Sequence, residues 1–160
     1  MPFTPTTLVD RLPSLAPFAM LGLVCVVAGG IVAAVTAPLA LAHGSWMAAY
    51  LVLAAGVAQG ALGTGQALLA PNAPSRGLMA AEVVGWNVGG AGVIAGTLLG
   101  EPMLTTAMGV ILTITLALFM LGTRGGQTRA RPVLWLYRLV VLVLLVSVPI
   151  GVVMAWQRHG

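Results

Sequence analysis

The sequence predicts an all-α protein that crosses a membrane five times, and three observations carry that reading. Charged residues make up 6% of the chain against 59% hydrophobic ones, with a mean hydropathy of +1.06. Soluble domains carry roughly 25% charged residues, and a short chain cannot hide so much apolar surface from water. Five apolar stretches remain once Pro, Gly and Arg clusters are taken as punctuation, at about 14–36, 39–70, 78–99, 103–122 and 133–156. Each reaches the ~20 residues that cross ~30 Å of hydrocarbon as a helix. No period-two alternation points to a barrel. Residues 1–160 are therefore read as one five-helix transmembrane domain.

The seven arginines set its orientation. With five spans, Arg11, Arg76, Arg124, Arg129 and Arg131 fall on one side with Arg138 just inside the fifth span, and only Arg158 falls on the other. Positive residues favour the cytoplasmic face. The N-terminus is thus expected in the cytoplasm and the C-terminus outside, in a multi-pass protein of the cell membrane, expected to be a bacterial inner membrane. The sequence pI near 10.7 follows from this topology and from anionic lipid headgroups. No basic patch interleaved with aromatics points to nucleic acid.

The first span follows a short Pro-rich segment and carries the lone Cys25, which has no internal disulfide partner and reads as inert packing. "LALA" before His43 resembles a signal-peptide cleavage site, but the apolar run is longer than a signal core and no cleavage is expected. In the second span Pro38 suits a helix start. A helix from there to Ala70 would be about 50 Å long, so it must tilt or protrude, which puts His43 near the outer interface. His43, Trp46 and Tyr50 share one helical face, and the aromatics suit an interfacial belt.

The second and third spans are read as a tight antiparallel pair across "PNAPSRG". Small residues at spacing four (Gly56 with Gly60, Ala61 with Gly65, Gly85 with Gly89, Gly92 with Gly96) allow close helix packing or make room for a flat ligand. The fourth and fifth spans, rich in Leu, Val, Ile and Thr, are read as lipid-facing cover.

Few buried polar groups remain. Gln59 and Gln66 share a face of the second helix, Glu82 lies about a turn inside the third at a depth like that of Gln66, and Asn87 sits deeper. An ionisable group in a span is a functional-site candidate. Glu82 also has a bland role open to it, hydration or a hydrogen bond to Gln66 or Arg76. No deeper carboxylate or histidine extends a proton path, no Ser–His–carboxylate set forms, and no phosphate loop, HEXXH or CXXC motif is present. Enzymatic catalysis is not expected. His43 reads as an interfacial anchor or as an axial haem ligand, since neutral imidazole binds haem iron. His159, Met47, Met103 and Met154 lie on the same side and with His43 form a donor set that would suit copper, a less favoured metal than haem iron.

The stretch "AHGSWMAAYLVLAAGVAQGALGTGQALLAP", Ala42 to Pro71, resembles the second transmembrane helix of haem-copper oxidase subunit I. The matching residues are His43, Gly44, Met47, Tyr50 and the Gly60–Gly65 segment, which includes Gly63. "PSRGLMAAEVVGWNVGGAGVIAG" resembles the family's third helix, with Trp86 as its aromatic. The resemblance covers the first three helices and implies haem b held by His43 near the outer face. The family's partner haem ligand and copper-binding histidines come from later helices. The fifth span here has no His, so an oxygen-reducing centre is not expected. A second ligand would be His159, a Met or a residue of a neighbouring subunit.

The leading expectation is a haem b-binding membrane protein serving electron transfer or diatomic-gas binding, embedded in the bilayer as a homo-oligomer or a subunit of a membrane complex. The alternatives are a non-catalytic structural or assembly subunit, and a small transporter using Glu82 and Gln59.

Overall fold

The computed structural model describes residues 11–125 and 131–159, with the side chains of 158 and 159 outside the description. Five helices follow one another: α1 Leu12–Thr36, α2 Gly44–Leu69, α3 Arg76–Leu99, α4 Pro102–Gly122 and α5 Arg131–His159. All five are long and apolar enough to cross a membrane, and the described residues contain no strand. Arg129 lies outside the described residues.

Each boundary has a local cause. Pro13 occupies the first turn of α1, where a missing N–H costs nothing. Ser75 caps α3, its Oγ accepting from the Leu78 N–H at 3.2 Å. Gly100, at φ 68, closes α3 in the left-handed conformation that glycine adopts without strain, and the Glu101 N–H returns to the Gly96 carbonyl at 2.8 Å. Pro102 opens α4 two residues later.

The expected start of the second helix at Pro38–Leu39 is corrected. Residues after Thr36 wrap back onto α1: the Leu39 N–H bonds the Val35 carbonyl and the Leu41 N–H bonds the Thr36 carbonyl, each at 3.0 Å. These bonds satisfy carbonyls that α1 would otherwise leave orphaned. The helix begins only at Gly44, which packs so closely on Thr36 that no side chain fits there. The span is 26 residues, about 39 Å as a helix, so it needs less tilt or protrusion than the longer helix expected, though still some.

Within α2 the hydrogen-bond register changes. Gly44–Ala49 is α-helical, Tyr50–Ala58 is a π-helix of nine residues, and Gln59–Leu69 returns to α. π segments are rare and concentrate at functional sites. Nothing in the composition of "YLVLAAGVA" marks it.

The pairing of helices also departs from expectation. The chief partner of α2 is α1, and the chief partner of α3 is α4; the α2–α3 contact is slight. Gly22 and Gly56 set the α1–α2 crossing, since a Cβ on Gly22 would lie 2.8 Å from the Gly56 carbonyl oxygen. Gly85, Gly89 and Gly96 of α3 receive Thr115, Leu112 and Thr105 of α4. The glycine stripes therefore serve close packing, each against a neighbour other than the expected one.

For the same reason α4 is not cover. Leu112, Leu116 and Phe119 are buried, and Phe119 sits at the centre of an aromatic cluster, 5.5 Å from Phe18 and 6.4 Å edge-on from Trp86. α5 joins this core through Leu134, Tyr137 and Val141, then turns a long apolar face outward.

Candidate functional site

α5 meets α2 chiefly along the Gln59–Leu69 half, where the Tyr137 hydroxyl donates to the Leu62 carbonyl at 3.4 Å and the ring covers Gly65. A shallow apolar groove runs beside this contact, between Ala61 and Leu69 of α2 and Val133 and Val140 of α5. At the other end of the bundle the helices line an open cavity of about 380 Å³. That lies within the 300–1,000 Å³ typical of small-molecule sites.

Four helices build this cavity. α2 contributes His43 at its N-cap with Trp46, Tyr50 and Ala54; α3 contributes Trp86, Val93, Gly96 and Thr97. Thr105, Gly109, Leu112 and Leu116 come from α4, and Leu144, Ser147, Val148, Gly151, Val152, Met154 and Ala155 from α5. The walls are mainly apolar, with hydroxyls, one imidazole and one thioether as polar or coordinating groups. The π segment supplies Tyr50 and Ala54, so the change of register lies in the cavity wall. Trp46 and Tyr50 stack with ring centroids 5.5 Å apart, while His43 is exposed.

Of the residues the sequence singled out for a cofactor or metal, His43, Tyr50, Trp86 and Met154 line this cavity together. Met47 is half-buried and outside the lining. Gly60 and Gly63 belong elsewhere. Gly63 packs against the Phe18 ring of α1, and no side chain lies within 4 Å of a Cβ placed at Gly60. The space expected to take a flat ligand beside Gly63 is filled by protein. Met103 is exposed and does not line the cavity. The side chain of His159 lies outside the described residues, although its backbone ends α5. No group of three or more His, Cys, Asp or Glu occurs among the described residues.

A second polar place lies at the arginine-bearing end. Gln66 Nε2 donates to Glu82 Oε1 at 2.7 Å, and both side chains are fully buried. This is the hydrogen bond expected from their matching depth. Among the described residues, Gln59, also fully buried, has no partner for either amide atom, and Gln66 Oε1 and Glu82 Oε2 likewise have none. Asn87 is satisfied locally, its Nδ2 donating to the Val83 carbonyl at 2.8 Å.

Sequence reasoning found the imidazole, Tyr50, Trp86 and the Met154 thioether but missed the α4 wall and the rest of the α5 wall. Thr97, Thr105 and Ser147 gave no signal, since hydroxyls in apolar helices commonly bond their own backbone. Thr97 bonds the Val93 carbonyl and Ser147 the Val143 carbonyl in that way. No family model matches the chain, and neither a curated protein nor a solved structure matches it.

Proposed function

We propose that the protein binds haem b in the cavity at the His43 end, with His43 as an axial ligand, and serves electron transfer or diatomic-gas binding. The supporting observation is that an imidazole and a thioether, His43 and Met154, line one apolar cavity from different helices. That pair of donors is an established axial set for haem iron and raises its potential. Trp46, Tyr50 and Trp86 supply flat apolar surface for a porphyrin face. Bound there, haem would supply one-electron chemistry or a site for a diatomic gas. The chain itself orients the group and keeps water away with the Leu112 and Leu116 side of the cavity.

On this reading the His43 end faces outward and the opposite end the cytoplasm, which the excess of arginines at that opposite end supports. The reading is kept to a single haem because the sequence offers two histidines, His43 and His159. The test is a visible spectrum of the purified protein reconstituted with hemin. The expected result is a Soret band of stoichiometric intensity that His43→Ala removes while the variant remains folded. A wild-type protein that stays colourless with added hemin overturns the reading.

A further inference from the structure

The Gln66–Glu82 contact satisfies one polar atom on each side chain. The amide donates through Nε2 to Glu82 Oε1 at 2.7 Å, which leaves one atom on each partner unsatisfied, Gln66 Oε1 and Glu82 Oε2. Both are drawn as acceptors, and both side chains are fully buried. An unpartnered acceptor in that setting is costly, and an uncompensated carboxylate charge far more so.

Among the described residues, no neighbouring helix supplies the missing donor. On α1, the Arg11 guanidinium is directed to the Ala67 and Ala70 carbonyls. On α4, the Thr123 hydroxyl donates to the Met120 carbonyl, and Gly122 packs on the Gln66 amide without a side chain. On α5, Tyr137 donates to the Leu62 carbonyl. Arg76, on α3 itself, is exposed. Gln59 lies two turns along α2 from Gln66, about 10 Å away. Neither the cavity at the His43 end nor the groove beside Tyr137 includes Gln66 or Glu82.

One proton satisfies both atoms. We propose that Glu82 Oε2 carries a proton and donates to Gln66 Oε1, closing a carboxylic acid–amide ring between α2 and α3 within the membrane. Each partner then donates once and accepts once, and the core carries no net charge. The site is a built-in proton-binding site, independent of the cavity at the other end and of whatever that cavity holds. It also gives α2 and α3, which otherwise touch little, a specific link.

The test is infrared spectroscopy of the full chain in lipid nanodiscs at neutral pH, with glutamate labelled by ¹³C at the side-chain carboxyl. The sequence contains two glutamates, Glu82 and Glu101, so Glu101→Gln leaves Glu82 as the sole labelled carboxyl. The expected spectrum has a labelled C=O band of a protonated, hydrogen-bonded acid, and Gln66→Leu moves it to higher frequency. A labelled signal consisting only of carboxylate stretches overturns the proposal, as does a protonated band that Gln66→Leu leaves unmoved. If Gln66→Leu does not fold, Gln66→Met is read in its place by the same criterion.

Discussion

The ring of Phe18 on α1 occupies the space that a side chain at Gly63 on α2 would need. Phe18 is 1% exposed and stacks against Phe119, so it has nowhere to retreat. Gly63→Val is therefore expected to destabilise the bundle by about 1–3 kcal/mol, the usual cost of overpacking. Phe18→Ala is expected to cost about 3–5 kcal/mol by leaving a cavity. The double variant is expected to recover part of both losses, because the new side chain enters the vacated space. Thermal unfolding in detergent reads all three, and strict additivity would contradict the packing described.

Arg11 ties the start of α1 to the end of α2. Its Nη1 lies 3.1 Å from the Ala70 carbonyl and also bonds that of Ala67, carbonyls at the C-terminal end of α2 that attract a cation. Arg11→Ala is expected to cost about 1–2 kcal/mol, since the site is partly buried and the bonds are charge-assisted. Arg11→Lys is expected to restore only part of this, because an ammonium lacks the planar fork of donors. Unfolding midpoints at low and high salt provide the check, and the Arg11→Ala deficit is expected to shrink as salt rises.

These two contacts show what was legible in the sequence and what was not. The five spans were legible because backbone groups in lipid must bond internally and the apolar runs are long. The Gln66–Glu82 bond was legible from matching depth as one of the partners open to Glu82, alongside water and Arg76. Which helix fills each glycine stripe was not, because a stripe of small residues announces close approach without naming the partner. Gly63 and Gly85 carry the same signal, yet one receives Phe18 of α1 and the other Thr115 of α4. The π segment at Tyr50–Ala58 was not legible either, since a shift of bonding register leaves no mark on a run that is apolar all round. That segment and α4 supply two of the four walls of the cavity, so its shape did not follow from His43 alone.

The orientation drawn from the arginines has a direct test. In a Cys25→Ala background, Ala40→Cys lies in the exposed turn before His43 and Ala73→Cys in the exposed loop between α2 and α3. A membrane-impermeant thiol reagent applied to intact cells is expected to label the first and spare the second. Labelling is expected to become equal after the membrane is opened. The reverse pattern would put the His43 cavity on the cytoplasmic side and rule out the positive-inside assignment.

Met154 and Ser147 separate ligation from mere occupancy of the cavity. Both line it from α5, the thioether being a possible iron ligand and Ser147 standing at an exposed position on the wall. If His43 and Met154 are the axial pair, Met154→Ala leaves hemin bound but converts a six-coordinate low-spin spectrum to a five-coordinate one. The reduction potential is then expected to fall, because thioether ligation raises it. Ser147→Trp acts differently, placing a large ring in the cavity without touching either donor. It is expected to lower hemin uptake at least tenfold, a loss of about 1.4 kcal/mol of binding, while leaving the thermal midpoint near that of the wild type. A Met154→Ala spectrum identical to the wild type assigns the sixth position to another group. Unchanged uptake by Ser147→Trp would mean that haem binds outside this cavity.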